Sequence, residues 1–363
     1  LRVSCAMRRL RLRSAERCPA ATPLARVCAG ALVALAAQCA NAPAWAAGAV
    51  DAGAPSSSAA AQLPTDVAGW IARVQRAALE RSYVGTFVVT TDAGATSGSR
   101  IWHACEGDQH MERIEALDGP ARTIFRRNGE MRTFFHASRT VVTEPLRRST
   151  PFSGAVPSLA DQLDTLYRAE RLGRQRVAGR DADVVWLRPR DALRFGYRIW
   201  SEQGSGLVLR LQTVQADGHV REQASFLQLE LDAPVSLPTL SRAMDDLQGY
   251  RALAQVPQRE LQKEESVWAL REAVPGFSLQ GCRVPQTRGN AMQCTYSDGL
   301  ASVSLFFETR EGAQTLNALA RWSAGATQAL ARPLDAHTWL TAVGEVPPAT
   351  LMLFAERLVR VRK

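Results

Sequence analysis

The stretch Tyr83-Val-Gly-Thr-Phe-Val-Val89 decides the fold class. Its odd-numbered and even-numbered positions form two sets, one more apolar than the other, which is the period-2 pattern of a half-buried β-strand. A helix is predicted just before it, from about Asp66 to Arg81. Within that segment the apolar residues recur at helical spacing: Val67, Trp70, Ile71, Val74 and Ala78.

More alternating runs follow, separated by Gly, Asp, Asn and Pro turn residues. They predict strands at 99–105, 108–117, 120–127, 130–136, 171–179, 183–189, 194–201, 206–215 and 219–231. A second helix is expected from Ser158, with Leu159, Leu163, Leu166 and Tyr167 as its apolar stripe. About ten short strands with only two helices predict an α+β fold, built on a large curved antiparallel sheet instead of βαβ units.

Composition divides the chain into five segments. Residues 1–46 are expected to be a signal peptide cleaved after about Ala46, because a basic stretch precedes the apolar run Val27–Ala40 and the small-x-small motif Ala44-Trp45-Ala46. Residues 47–63 are a low-complexity leader, predicted to be disordered. We expect a large domain at 64–236, a linker at 237–263 and a small domain at 264–363, where strands are predicted at 277–284, 291–296, 300–308 and 337–343. Helices are predicted there near 312–321 and from Pro347 onward.

Charge gives no support for a nucleic-acid binder. The net charge is +9, but residues 1–46 hold seven Arg and one Glu, and the remaining 317 residues hold 37 basic and 34 acidic side chains. A body that close to neutral lacks the electrostatic footprint of nucleic-acid recognition.

Sequence motifs of catalysis are missing. The chain has no G-x-S-x-G, H-E-x-x-H, P-loop, G-x-G-x-x-G or C-x-x-C motif, and its five His residues are scattered. His103 and His110 could approach each other across strands, but neither has a Cys or acidic neighbour at metal-ligand spacing. We therefore predict a protein that is not an enzyme and that carries no metal or cofactor.

Aromatic and aliphatic side chains concentrate on the predicted strands and the second helix. They could be ordinary core packing, or they could line a lipid-sized cavity inside a curved sheet. Composition alone does not separate these two interpretations. The candidates for a lipid cavity are Phe87, Trp102, Phe125, Phe135, Leu159, Leu163, Tyr167, Trp186 and Trp200.

A disulfide is predicted between Cys282 and Cys294. The turn residues of Pro285–Asn290 separate two predicted strands, so a hairpin centred near Arg288 places the two cysteines opposite each other. Opposed antiparallel residues have Cα atoms about 4.5–5.5 Å apart, within the range that disulfides require. Cys105 would then stay free. The alternatives are three reduced cysteines, or a bridge from Cys105 to the other domain.

Four short segments carry a family resemblance. They are Tyr83-Val-Gly-Thr-Phe87, Arg194-Phe-Gly-Tyr-Arg-Ile-Trp200, Tyr296-Ser-Asp-Gly-Leu300 and Val343-Gly-Glu-Val-Pro-Pro348. In this order and spacing, over about residues 64–360, the chain resembles the MucB/RseB family. The resemblance implies a half-barrel closed by helices, similar to lipoprotein carriers, and a smaller C-terminal α+β domain that binds the regulated partner.

The same resemblance implies a function. Family members are periplasmic negative regulators of an envelope-stress sigma factor. They bind the periplasmic part of a single-span anti-sigma factor, protect it from site-1 proteolysis, and release it when lipid or lipopolysaccharide binds. Arg147 and Arg148 are candidates for the lipid headgroup, against the alternative of a solvated surface pair.

Two other functions are weighed against this one. A periplasmic lipid or lipoprotein carrier would use the same half-barrel, but simple carriers resemble only the large domain. An unrelated periplasmic hydrolase is the third. The identity of the lipid, the partner contacts and the formation of a homo-oligomer are left open by the sequence.

Overall fold

A computed structural model describes residues 63–127, 129–145, 160–253, 258–262, 265–285, 291–309 and 319–361. The expected signal peptide, nearly all of the leader, the expected helix start at Ser158 and most of the helix expected near 312–321 lie outside these ranges. Within them, no helix is both long and apolar enough to cross a membrane.

A twelve-stranded sheet dominates the large domain. All of its neighbouring strands pair antiparallel except β12, which runs parallel to β6. Its order is β12-β6-β5-β4-β3-β2-β1-β11-β10-β9-β8-β7, so it is open among the described residues, with β12 and β7 as its edges. The strands are β1 Tyr83–Thr91, β2 Thr96–Glu106, β3 Gln109–Ala116, β4 Arg122–Arg127, β5 Glu130–Phe135, β6 Thr140–Pro145, β7 Tyr167–Val177, β8 Arg180–Pro189, β9 Gly196–Glu202, β10 Val208–Val214, β11 Val220–Leu231 and β12 Arg251–Leu253. The predicted fold class, a large curved antiparallel sheet with a few helices, is confirmed.

Three helices cover this sheet: α1 Val67–Glu80, α2 Ala160–Leu166 and α3 Leu237–Asp245. The first begins at Asp66, whose carboxylate accepts a hydrogen bond from the Gly69 amide at 2.6 Å, as an N-cap does. Helix α1 packs its Ala77 in one cluster with Ile101, whereas α3 packs in another cluster with Ala104. Because side chains alternate between faces along a strand, α1 and α3 lie on opposite faces of β2.

The small domain has its own seven-stranded sheet, in the order β13-β15-β16-β17-β20-β19-β18, beside a two-stranded pair, β14 and β21. Helix α4 Pro348–Arg357 starts where the sequence predicted and buries Leu351, Phe354 and Ala355 against the sheet. The strands are β13 Gln258–Leu261, β14 Trp268–Leu270, β15 Ser278–Pro285, β16 Ala291–Ser297, β17 Ser302–Thr309, β18 Ala320–Ala324, β19 Thr327–Pro333, β20 Thr338–Gly344 and β21 Leu358–Arg360.

The predicted disulfide is present. Cys282 on β15 and Cys294 on β16 are direct cross-strand partners, with Cα atoms 4.1 Å apart, and their sulfurs are bonded. The bridge joins two residues twelve positions apart in sequence and lies within the hydrophobic core of the small domain. Cys105 is free.

The segment expected to be a linker, 237–263, contains regular structure. It begins with α3, then contributes β12 to the large sheet and β13 to the small sheet. Both strands are short and mostly exposed, and for this reason the sequence pattern did not reveal them. The chain therefore passes from one domain to the other between two strands that are each held by their own sheet.

Candidate functional site

Two of the sequence motifs meet where the two domains touch. Arg194 lies in the turn before β9, and Asp298 lies just after β16. The Arg194 Nη1 donates to the Asp298 Oδ2 at 2.7 Å, and both side chains have 0% exposure to solvent. This ion pair joins the large domain to the small one across 104 residues of sequence.

Arg194 has partners on both sides of the junction. Its Nε and Nη2 donate to the two carboxylate oxygens of Asp191 at 2.9 and 3.0 Å, and Nη2 also donates to the Pro275 carbonyl at 3.0 Å. Its guanidinium lies 5.1 Å from the ring centre of Phe277, within cation–π range. Burial lowers the pKa of Arg194, but the hydrogen bond to Asp191 and the charge of Asp298 outweigh burial and raise it overall. The side chain is therefore a permanent buried cation.

Both carboxylate oxygens of Asp298, like the guanidinium of Arg194, have hydrogen-bond partners. Its Oδ2 accepts from Arg194 and from the Tyr167 hydroxyl at 2.9 Å, and its Oδ1 accepts from the amides of Leu300 and Ala301 at 2.9 and 2.7 Å. Burial, and then the charge of Asp298, raise the pKa of Tyr167 well above its usual value, so its hydroxyl stays protonated and donates. A buried carboxylate with four donors carries no unpaired charge. We call Tyr167, Asp191, Arg194 and Asp298 the central joint.

Around the central joint, residues of each domain pack against the hydrophobic core of the other. Leu193 packs against the hydrophobic core of the small domain, and Leu300 packs against the cluster beneath α1 and α2. The Thr350 hydroxyl of α4 donates to the Leu193 carbonyl at 2.7 Å. Gly276 has a left-handed φ of +77°, and a Cβ there would lie 2.7 Å from the Arg194 Nη2, so glycine is required for this close approach.

A second contact lies at the tip of the β18–β19 hairpin. The Glu222 Oε2 on β11 accepts from the Ala326 amide at 3.3 Å, and the Arg221 Nη2 donates to the Gly325 carbonyl at 3.3 Å. Gly325 has φ +58° and sits so near Glu222 and Thr91 that a Cβ would clash with both. We call Thr91, Arg221, Glu222, Gly325 and Ala326 the tip contact.

Electrostatics differ between the two contacts. In the tip contact, Arg221 pairs with Asp92 of its own domain. Burial raises the pKa of Glu222, and the hydrogen bond from Ala326 only partly opposes this. Glu222 thus stays without a cationic partner among the described residues, unlike Asp298.

The lipid-cavity candidates fall into separate groups. Leu163 and Tyr167 lie in the cluster beneath α1 and α2, together with Val185 and Leu187 of β8. Trp186 alternates with these two β8 residues and is the cross-strand neighbour of Arg198, so it faces the opposite side of the sheet. Trp200 shares that side, where its indole donates to the Gln175 side chain at 2.8 Å.

The remaining candidates lie elsewhere on the large sheet. Trp102 and Phe125 pack in the cluster beneath α3, Phe87 packs on Phe226, and Phe135 is 39% exposed. Leu159, Arg147 and Arg148 lie outside the described residues. The structure therefore brings Leu163 together with Tyr167, and Trp102 together with Phe125, and the lipid cavity as a whole remains a prediction.

His103 has an acidic partner that local spacing did not reveal. Its cross-strand neighbour is Glu112, with Nδ1 and Oε1 3.4 Å apart, and Glu112 also accepts from the Arg126 Nη1 at 3.0 Å. Tyr83 stacks on His103 at 4.9 Å between ring centres. Although burial alone would raise the pKa of Glu112, the nearby His103 ring and the charge of Arg126 lower it overall. Among the described residues, no three His, Cys, Asp or Glu side chains form a group that could hold a metal ion.

The fold and the joined domains define a class: a two-domain α+β protein, with an open curved sheet locked to a smaller sheet domain. Comparison with known proteins gives the family. The model of the MucB/RseB N-terminal domain matches residues 66–247, and that of the MucB/RseB C-terminal domain matches residues 262–359. The chain belongs to the MucB/RseB family.

Two named relatives cover most of the chain. It is 30% identical over 297 residues to the sigma factor AlgU regulatory protein MucB of Pseudomonas aeruginosa, which covers 78% of this chain and 88% of that protein. It is 25% identical over 288 residues to the sigma-E factor regulatory protein RseB of Escherichia coli K12, covering 76% and 85%. The names of both relatives describe regulatory proteins.

Two solved structures of MucB complexes are similar to this chain over most of its length. The crystal structure of MucB in complex with MucA(peri) matches with a TM-score of 0.62 and 27% identity, covering 81% of this chain and 98% of that chain. A second structure, the Pseudomonas aeruginosa MucA/MucB complex, matches with a TM-score of 0.64 and 26% identity, covering 82% and 99%.

Proposed function

We propose that this protein is a periplasmic negative regulator of an envelope-stress sigma factor. It binds the periplasmic part of a single-span anti-sigma factor and protects that segment from site-1 proteolysis. The observation that carries the proposal is the family match over both domains in order. The MucA-bound structures of the related MucB support it, as does the export signal expected at residues 1–46.

The junction supports a two-domain binding mode. The central joint holds the two sheets together with buried, fully paired groups, so a partner meets both domains as one surface. A lipid or lipoprotein carrier would need only the large domain. The carrier function therefore does not explain why the small domain and the central joint are present.

Lipid or lipopolysaccharide is proposed as the release signal. A ligand shifts a conformational equilibrium only if it binds one state better than the other. We expect lipid to favour a state with a low affinity for the anti-sigma factor. The pairs Leu163 with Tyr167 and Trp102 with Phe125 are the described candidates for acyl contacts.

Binding is tested with the mature chain, from residue 47 onward, and the purified periplasmic segment of the organism's own anti-sigma factor. Isothermal titration calorimetry should show a one-site complex, and the bound segment should resist the initiating protease. A chain that neither binds nor protects the segment would refute the regulator function.

Release is tested in the preformed complex. Adding anionic lipid vesicles or lipopolysaccharide should free the segment and restore cleavage, whereas neutral phosphatidylcholine vesicles serve as the control. Lipid binding without any binding of the segment would support the carrier function instead.

A further inference from the structure

One edge of the large sheet is long and strongly basic. Strand β7, Tyr167–Val177, is the last strand in the sheet order and pairs with β8 alone among the described residues. All but one of its nine inner residues are exposed. The strand carries Arg168, Arg171, Arg174 and Arg176 but only one acid, Glu170.

A strand edge of this kind has unpaired backbone groups. Proteins commonly protect exposed edges with very short strands, charges or bulges. Here the strand has eleven residues, and its bulge between Arg171 and Gly173 leaves regular ladders on both sides. An added strand can therefore pair along either half.

Two of the arginines are available for a ligand. Arg174 lies 3.5 Å from the Asp183 carboxylate, and Arg176 donates to the Gly179 carbonyl. Arg168 and Arg171, in contrast, have no hydrogen bond or ion pair with the described residues. Arg168 pairs with Arg188 and Arg171 with Val185, and these two β8 residues face opposite sides of the sheet. Arg168 and Arg171 therefore project from opposite faces of the β7 edge.

The positive charge of β7 indicates which kind of partner the edge can bind. Pairing of this edge with a second copy of itself would bring two sets of four arginines together, and like charges in opposed strands are destabilising. An extended acidic peptide has the complementary charge and can pair its backbone with β7, as in β-strand addition.

We propose that the β7 edge binds an extended, acidic segment of the anti-sigma factor as an additional strand, with Arg168 and Arg171 as its principal charge contacts. This inference rests on the proposed function. It also places the partner beside the central joint, because β7 begins at Tyr167, whose hydroxyl binds Asp298. The segment would thus lie along the large domain and reach the small one.

The first test is the double variant Arg168→Glu/Arg171→Glu in the full mature chain. Reversing both charges should weaken binding of the purified periplasmic segment by about tenfold or more, since each opposed charge pair is lost and replaced by a repulsion. The matched control is Arg122→Glu/Arg251→Glu, which makes the same charge change on exposed residues of the distant half of the sheet. It should change affinity less than twofold.

The second test reads the backbone directly. Hydrogen exchange of the wild-type chain should slow at alternate amides of β7 when the segment binds, because only the outward N–H groups gain partners. A complex that forms normally while β7 exchange and the double variant's affinity stay unchanged would overturn the β7 site and leave the proposed function standing. A wild-type chain that does not bind the segment would overturn both. Self-association that the double variant abolishes would assign the edge to a second copy and also refute this inference.

Discussion

The central joint and the tip contact join the same two domains in different ways. In the central joint, Arg194 and Asp298 are both fully buried, and each polar group has a defined partner. In the tip contact, Glu222 accepts one amide hydrogen bond at 3.3 Å and is only partly buried. The central joint is a fully hydrogen-bonded ion pair, whereas in the tip contact the Glu222 carboxylate has one hydrogen bond, from an amide.

This difference assigns separate roles to the two contacts. Breaking a buried ion pair leaves an uncompensated charge, which is strongly unfavourable, whereas a partly solvated carboxylate can exchange its partner for water at low cost. We infer that the domains stay connected at the central joint. This contrast predicts that, if the domains separate, the tip of the β18–β19 hairpin separates first.

The largest effect is expected from Asp298→Ala. Removing this carboxylate leaves Arg194 buried without its ion-pair partner across the junction and should lower the free energy of unfolding by about 3–5 kcal/mol. Urea denaturation measures this loss. The control is Glu260→Ala, which removes an exposed pair with Arg283 and should cost less than about 1 kcal/mol. Equal losses in the two variants would show that the buried ion pair stabilises the fold no more than an exposed one.

A smaller effect is expected from Gly325→Ala at the tip contact. Its left-handed φ disfavours alanine, and the new Cβ would clash with Glu222 and Thr91, so the loss should be about 1–3 kcal/mol. Gly94→Ala is the matched control, since Gly94 has φ +79° and open space around its Cβ position. Thermal unfolding of both variants separates backbone strain from the domain contact. If Gly94→Ala costs as much as Gly325→Ala, the clash with Glu222 and Thr91 adds nothing to the cost of the left-handed φ.

Local patterns in the sequence predicted most strands of the large sheet. The alternation in Tyr83–Val89 and the helical spacing from Val67 correspond to β1 and α1, and opposed hairpin positions predicted the Cys282–Cys294 bridge. The sequence did not predict β6, β12, β13, β14, β18, β19 or β21. Strands β6 and β19 are longer and partly buried. The others have three to five residues, and β12, β13 and β18 are mostly exposed with little apolar alternation. Such strands form because a neighbouring strand offers hydrogen bonds, not because of their own residues.

Local sequence patterns could not predict the central joint. Arg194 and Asp298 were each part of a motif, but nothing in either motif indicates that the two meet across 104 residues. Glu112 was missed as a partner of His103 for a related reason, since eight residues lie between them along a hairpin and only the strand register makes them neighbours. Charged residues inside otherwise apolar strand regions are the signal that could have drawn attention to such pairs.

The smallest effect is expected from the pH dependence of Glu222. Because burial raises its pKa in the folded protein, the carboxyl group favours folding most when it is protonated. Its contribution is complete below the ordinary pKa of glutamate, about 4.3, and declines as the pH rises through the raised pKa. Glu222→Gln keeps a neutral acceptor for the Ala326 amide at every pH. The variant should therefore match the wild type at pH 4 and exceed its stability slightly, by less than about 1 kcal/mol, at pH 7. Urea denaturation from pH 4 to pH 7, with the exposed Glu106→Gln as control, measures the difference. A variant that is less stable than the wild type at neutral pH and equal to it at pH 4 would show that the ionised carboxylate strengthens the tip contact.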